Sequence, residues 1–219
     1  MKVKICGISH RSDVVSINQL KPDFMGFVID YPASVRSVTS DSLHELLDGV
    51  EVPIVFLFVN TSIEEILKVV QIKKPFAIQL HGDETKEFVN SLKPQIVDVQ
   101  IWKALHLPPK SDIDSLEDYL KKITEYVDAG CHKIILDSST KENYGGTGIK
   151  CDWDLAAKIL EKSNANIFLA GGLTAENVNS AVQQVSPMGV DVSSGVEESK
   201  SNKDIVMVED FILNAKSEK

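Results

Sequence analysis

Lys133-Ile134-Ile135-Leu136-Asp137 is a short apolar run closed by a carboxylate, and its parity governs how the rest of the chain reads. Side chains alternate faces along a strand. Ile134 and Leu136 therefore share one face, and Ile135 and Asp137 share the other. A strand that is apolar on both faces belongs to a parallel sheet covered by helices. In that setting the terminal Asp137 points to the inner side of the sheet.

Working outward, the run Lys133–Leu136 has seven counterparts: Lys2–Cys6, Phe24–Ile29, Ile54–Val59, Phe76–Leu80, Ile96–Trp102, Ile167–Ala170 and Gly189–Ser193. Each is rich in Val, Ile or Phe and is bounded by turn-forming residues, as buried strands are. Between them lie amphipathic stretches with helix-start signals: Ser40 before Leu43, Leu46 and Leu47, Thr61 with Glu64 as a capping box, and Thr174 before Ala175-Glu176. A last helix is expected over Lys203–Ala215, and the tail Lys216–Lys219 is expected to fray. Regular strand and helix alternation requires parallel strands with crossovers. An open sheet would satisfy it. Eight units in 219 residues, with no second domain and no G-x-G-x-x-G after the first strand, fit better a single (β/α)8 barrel spanning residues 1–219.

Composition narrows the function classes. With 43% hydrophobic and 25% charged residues the chain is an ordinary globular protein, and its net charge of −9 opposes a nucleic-acid partner. No apolar run reaches the roughly 18 residues of a membrane span. The three cysteines, Cys6, Cys131 and Cys151, show no C-x-x-C spacing, so a reduced, cytoplasmic protein is expected. Monomer and homodimer are both open.

The same parity test, applied to the other strands, sends Lys4 and Cys6, Gln79 and His81, and Asp191 and Ser193 inward. Burying such groups unpaired costs about 1–3 kcal/mol each, yet four strands do it at one end. That end, the C-terminal mouth, is where active sites of such barrels sit. Arg36 would reach in from the loop after the second strand. Gly171-Gly172 and Ser193-Ser194-Gly195 end the last two strands, and glycine-rich loops there let backbone N–H groups approach a phosphate. Taken alone, Cys6 reads as a small core residue, His81-Gly82 as a turn, and His132, Trp102 and Trp153 as structural. The convergence of Cys6, Gln79, His81, Asp137, Asp191 and Arg36 at one mouth, with the glycine-rich strand ends, is what makes a pocket for a small phosphorylated molecule.

These motifs, Lys4-Ile5-Cys6-Gly7, Gly26-Phe27-Val28 with Ser34-x-Arg36, Gln79-Leu80-His81-Gly82, Leu136-Asp137-Ser138, Gly145-Gly146-Thr147-Gly148, Leu169-Ala170-Gly171-Gly172-Leu173 and Asp191-Val192-Ser193-Ser194-Gly195-Val196-Glu197, run in order along nearly the whole chain. Together they resemble the phosphoribosylanthranilate isomerases of tryptophan biosynthesis. The resemblance implies an Amadori rearrangement of N-(5′-phosphoribosyl)anthranilate, without cofactor or metal. It also implies Cys6 as general base and Asp137 as general acid, with Arg36 on the anthranilate carboxylate and Asp191 near the amine. Gly171, Gly172, Ser193, Ser194 and Gly195 would then hold the phosphate. Gln79 and His81 occupy motif positions as further substrate contacts, and the loop Gly145–Gly148 is expected to close over the site. Lys4 is expected to favour the Cys6 thiolate. Two other readings are a histidine-pathway isomerase of the same fold, which uses aspartates where Cys6 stands, and a non-catalytic phosphosugar-binding barrel, which needs neither Cys6 nor Asp137.

Overall fold

The apolar runs close on themselves. A computed structural model describes residues 1–108, 116–138 and 151–217. In it, strands β1 (Lys2–Ile5), β2 (Phe24–Ile29), β3 (Ile54–Phe58), β4 (Ala77–Leu80), β5 (Gln100–Leu107), β6 (Lys133–Ser138), β7 (Ile167–Leu169) and β8 (Gly189–Val192) pair in parallel with their neighbours. β1 pairs with β2 on one side and β8 on the other, which closes the barrel. Outside lie α1 (Arg11–Leu20), α2 (Leu43–Leu46), α3 (Ile63–Ile72), α4 (Lys86–Leu92), α5 (Leu116–Ala129), α6 (Trp153–Lys162), α7 (Val178–Val185) and α8 (Ile205–Lys216). The (β/α)8 expectation holds.

Parity holds as well. Val3, Ile5, Ile78, Leu80, Ile134, Leu136, Val190 and Val192 pack outward in one buried layer with apolar helix residues such as Ile66, Ile159 and Phe211. The inner floor is separate: Phe24, Val55, Ala77, Trp102, Ala104, Ile135, Phe168 and Ala170. Trp102 meets Phe24 edge-on at 4.9 Å between centroids and Phe168 at 5.5 Å. Lys133 lays its ammonium 4.8 Å from the Trp102 ring centroid, a cation–π contact. Aromatic bulk fills the N-terminal end, and the polar residues are left to the mouth.

Several boundaries move. β5 begins at Gln100 and ends at Leu107, whereas the apolar signal ran from Ile96 to Trp102. Ile96 and Val99 are buried in the outer core ahead of the strand, with Asp98 between them at φ +57, while Lys103 and His106 mask the strand's second half. The capping box falls one residue later, on Ser62 and Glu65 rather than Thr61 and Glu64. Asn177, not Thr174, precedes α7, and Thr174–Asn177 forms a turn ahead of it. A 3₁₀ turn, Ser40–Ser42, precedes α2. Lys216 ends α8 and pairs with Asp23 at 3.1 Å, so fraying does not begin there.

Phe168 is fully buried in the floor layer, where it touches the rings of Phe24 and Trp102. Truncating it leaves a void that strands on both sides cannot collapse into. Phe168→Ala is expected to cost about 3–5 kcal/mol in urea unfolding. A loss below about 1 kcal/mol would mean that this layer is not tightly packed.

Candidate active site

At the mouth, β1, β4, β6 and β8 contribute polar groups, while the β2 and β3 side of the cavity is apolar, lined by Val28, Leu57 and Val59. Lys4 and Asp191 are register partners on β1 and β8, and Lys4 Nζ donates to Asp191 Oδ2 at 2.7 Å with both side chains buried. Cys6 follows β1, its backbone N–H bonded to Val192 O at 2.8 Å. Room for thiol and ammonium comes from Gly26 on β2, where a Cβ would stand 2.8 Å from Cys6 Sγ and 3.0 Å from Lys4 Nζ.

Burial and charge pull against each other here. Desolvation works against the Lys4 ammonium, but Asp191 and Cys6 outweigh it, so its pKa is raised and it stays protonated. For Asp191, burial pushes the carboxyl up against the attraction of Lys4. For Cys6, burial pushes the thiol up and Lys4 and Lys203 only partly offset it. The expected help from Lys4 is present, and burial is the larger effect.

Across the mouth, β4 and β6 bring Gln79, His81 and Asp137 together. His81 Nδ1 lies 2.9 Å from Gln79 Nε2, and His81 Nε2 lies 3.3 Å from Asp137 Oδ2. With the Gln79 amide in this orientation, Nδ1 accepts and Nε2 carries the proton that faces Asp137. His106, inward on β5, stacks edge-on against His81 at 5.1 Å, and its Nε2 lies 3.0 Å from His81 O. His81, His106 and Asp137 each place a donor atom within 4.8 Å of the others, a spacing open to a divalent ion. Two buried acceptors, Asp191 Oδ1 and Gln79 Oε1, have no hydrogen-bond partner among the described residues. Both residues line the pocket, where ligand donors could satisfy them.

Arg36 crosses above β1 and grips Glu197 with both Nε and Nη2 at 2.7 Å. Lys203, buried, donates to the same carboxylate at 2.8 Å and to Ser193 O at 2.9 Å. On the opposite rim Gly171 and Gly172 take φ of +84 and +64. A Cβ at Gly171 would run into the backbone N and side chain of Ser138, so this chain passage requires glycine. Beneath His81-Gly82, buried Lys103 donates to Gly82 O at 2.6 Å and to Glu84 Oε2 at 2.9 Å, while Glu84 Oε1 accepts from the backbone N–H groups of Asn60 and Gly82.

Cys6, Arg36, Gln79, His81, Asp137, Gly171, Gly172, Asp191, Ser193, Ser194 and Gly195 thus line one cavity, as the sequence reading anticipated. The loop Gly145–Gly148 lies outside the described residues. His132 is structural, its Nδ1 accepting from Ile101 N at 3.1 Å. Sequence reasoning missed Lys103 with Glu84, Lys203 with Glu197, and His106. The available signal was a charged residue inside an apolar strand, Lys103.

Residues 3–214 match the family model described as N-(5′-phosphoribosyl)anthranilate (PRA) isomerase. An N-(5′-phosphoribosyl)anthranilate isomerase of Nostoc punctiforme is 39% identical over 94% of this chain and 93% of its own length. The crystal structure of phosphoribosyl anthranilate isomerase from Thermotoga maritima superposes with a TM-score of 0.81 at 33% identity, covering 99% of this chain and 98% of that one. Another phosphoribosyl anthranilate isomerase, solved in complex with reduced 1-(o-carboxyphenylamino)-1-deoxyribulose 5-phosphate, gives 0.80 at 31% over the same shares.

The thiol's environment is testable without substrate. Thiolate is the reactive form, so the pH midpoint of Cys6 alkylation by iodoacetamide, followed by mass spectrometry, is expected above the ordinary value of about 8.5. Burial pushes Cys131 and Cys151 up to about 12, which keeps both out of that window. Lys4→Met removes the opposing cation and leaves Asp191 facing the thiol, so the midpoint should climb further. An unshifted midpoint in the variant would remove Lys4 from the account of Cys6.

Proposed function

The chain belongs to the N-(5′-phosphoribosyl)anthranilate isomerase family, and from that premise we propose that Cys6 is the general base and Asp137 the general acid of the rearrangement at the barrel mouth. The enzyme is an isomerase of tryptophan biosynthesis. What carries the residue assignment is convergence: Cys6 after β1 and Asp137 at the end of β6 line one cavity together with Arg36, Asp191 and the glycine loops.

The chemistry runs as two proton transfers and a tautomerisation. Asp137 gives its proton to the ribose ring oxygen as the C1′–O bond breaks, and the arylamine lone pair forms the C1′=N bond. That iminium acidifies C2′–H. Cys6 thiolate takes the C2′ proton, and the released electron pair becomes the C1′=C2′ bond of an enolamine, neutralising nitrogen. Proton gain at C1′ and loss from the C2′ hydroxyl then give the ketose. Each transfer contributes about 10²- to 10⁴-fold. His81 Nε2–H, facing Asp137, is placed to stabilise the carboxylate that forms when the acid has given up its proton.

The remaining lining residues bind. Arg36 pairs with the anthranilate carboxylate in a charge-assisted contact. Asp191 uses its unpartnered Oδ1 to accept from the arylamine N–H. Gln79 Oε1, the other buried unpartnered acceptor, meets a ribose hydroxyl. Backbone N–H groups near Gly171, Gly172, Ser193, Ser194 and Gly195 take the phosphate, where glycine leaves the chain open to an anion. No helix among the described residues is long and apolar enough to cross a membrane. The three free thiols fit the reducing cytoplasm, where we place the enzyme.

Cys6→Ser and Asp137→Asn are each expected to lower kcat by about 10² or more with far-UV circular dichroism unchanged. The readout is decay of anthranilate-type fluorescence with freshly generated substrate. Turnover within about threefold of wild type in either variant would strip that residue of its role.

A further inference from the structure

Arg36 is engaged before any substrate arrives. Its Nε and Nη2 both bond Glu197 at 2.7 Å, and its stem is fixed over Gly7, where an added Cβ would lie 2.6 Å from Arg36 Cδ. Such a bidentate pair is electrically neutral, and a neutral pair is a poor receptor for a carboxylate. The structure supplies a third charge. Lys203, on the short hairpin formed by Glu197–Ser199 and Asn202–Lys203, is buried directly against Glu197, Nζ to Oε1 at 2.8 Å. With both bases protonated, Arg36, Glu197 and Lys203 carry one surplus positive charge between them.

We propose that Lys203 is a specificity-determining positioning residue: by countering Glu197, it leaves Arg36 held rigidly yet still net cationic toward the aryl carboxylate of the substrate. Glu197 supplies orientation and Lys203 supplies the charge that orientation would otherwise cancel. The Nη1 side of the guanidinium makes no hydrogen bond among the described residues, and Arg36 lines the cavity, so the surplus charge faces the ligand. Burial lowers the Lys203 pKa while Glu197 opposes that shift, and Arg36 and Lys203 together hold the Glu197 carboxyl below its usual range against its own burial, so the ammonium persists only through this pairing and is a costly choice for a mere strut. The proposal rests on the assignment of Arg36 to the carboxylate made above.

Calorimetric titration with two ligands separates the possibilities: the reduced 2-carboxyphenylamino product analogue, and its phenylamino counterpart lacking the carboxylate. Wild type should bind the first at least about tenfold more tightly. Lys203→Met should bring that ratio close to one by weakening the first ligand alone. Lys203→Arg should preserve it, and Glu197→Gln with Lys203→Met, again net +1, should regain it. If Lys203→Met fails to fold, Lys203→Gln, which can still donate to Ser193 and Glu197, carries the same test. A wild-type ratio retained in the neutral variant would overturn the proposal, and so would a double variant no better than the single one. No discrimination in wild type would instead overturn the Arg36 assignment itself.

Discussion

Lys4 and Asp191 meet where the barrel closes, and the rest of the mouth depends on that contact. They are register partners on the first and last strands, 2.7 Å apart at their charged ends and shielded from water. A slip of one residue along either strand would turn Val3 and Ile5, or Val190 and Val192, into the barrel and push a charge among the helices. A lone buried charge costs several kcal/mol, so register and ion pair enforce one another. The seam also explains the site's composition. With β1 fixed, Cys6 must emerge beside the ammonium, and with β8 fixed, Ser193 must begin the loop that carries Glu197 and, through it, Arg36.

Most of this was legible because a strand's period is two and the chain obeys it. Once Asp137 was assigned inward on β6, the same rule put Lys4, Cys6, Gln79, His81 and Asp191 in one place, and all of them line or underlie the cavity. Where periodicity is weak, the reading slipped. The stretch before β5 shows apolar Ile96 and Val99, but these serve the outer core, and the strand itself carries Lys103 and His106. A charge on the outward parity of a buried strand contradicts the pattern unless its partner is known, and Glu84 sits in a loop whose position only the fold supplies. The same holds for Lys203 and Glu197. Their spacing gives no hint that a hairpin folds both ends back under an arginine from the other end of the chain.

The three lysines buried at the mouth follow one rule. Lys4 is held by Asp191, Lys103 by Glu84 and Lys203 by Glu197, each within 3.0 Å. Apolar side chains of similar volume would stabilise such positions at least as well, so stability is not what these pairs provide. Stability resides instead in the aromatic floor and the outer layer against the helices. The pairs provide placement of charge. One ammonium stands beside a thiol, one pins the Gly82 turn next to His81, and one pairs with the carboxylate that clamps Arg36.

That placement also resolves a contradiction of sign. The substrate of this family carries a carboxylate and a phosphate, and the chain carries a net charge of −9. A field set by net charge alone would repel such a ligand from afar, but salt screens that field within about 8–10 Å. Inside the mouth the nearest charges decide. On the proposed assignment, Arg36 and Lys203 against Glu197 leave a cationic surplus for the aryl carboxylate, and the N–H groups of the glycine-rich loops offer partial positive charge to the phosphate without any ionised residue. Lys4 with Asp191 leaves the centre neutral, so the thiol there feels a cation without the site becoming a general anion trap. On the proposed assignment the surface can stay acidic while the interior selects a doubly anionic molecule, and selection rests on how Asp191 and Glu197 are paired rather than on how many lysines the chain contains.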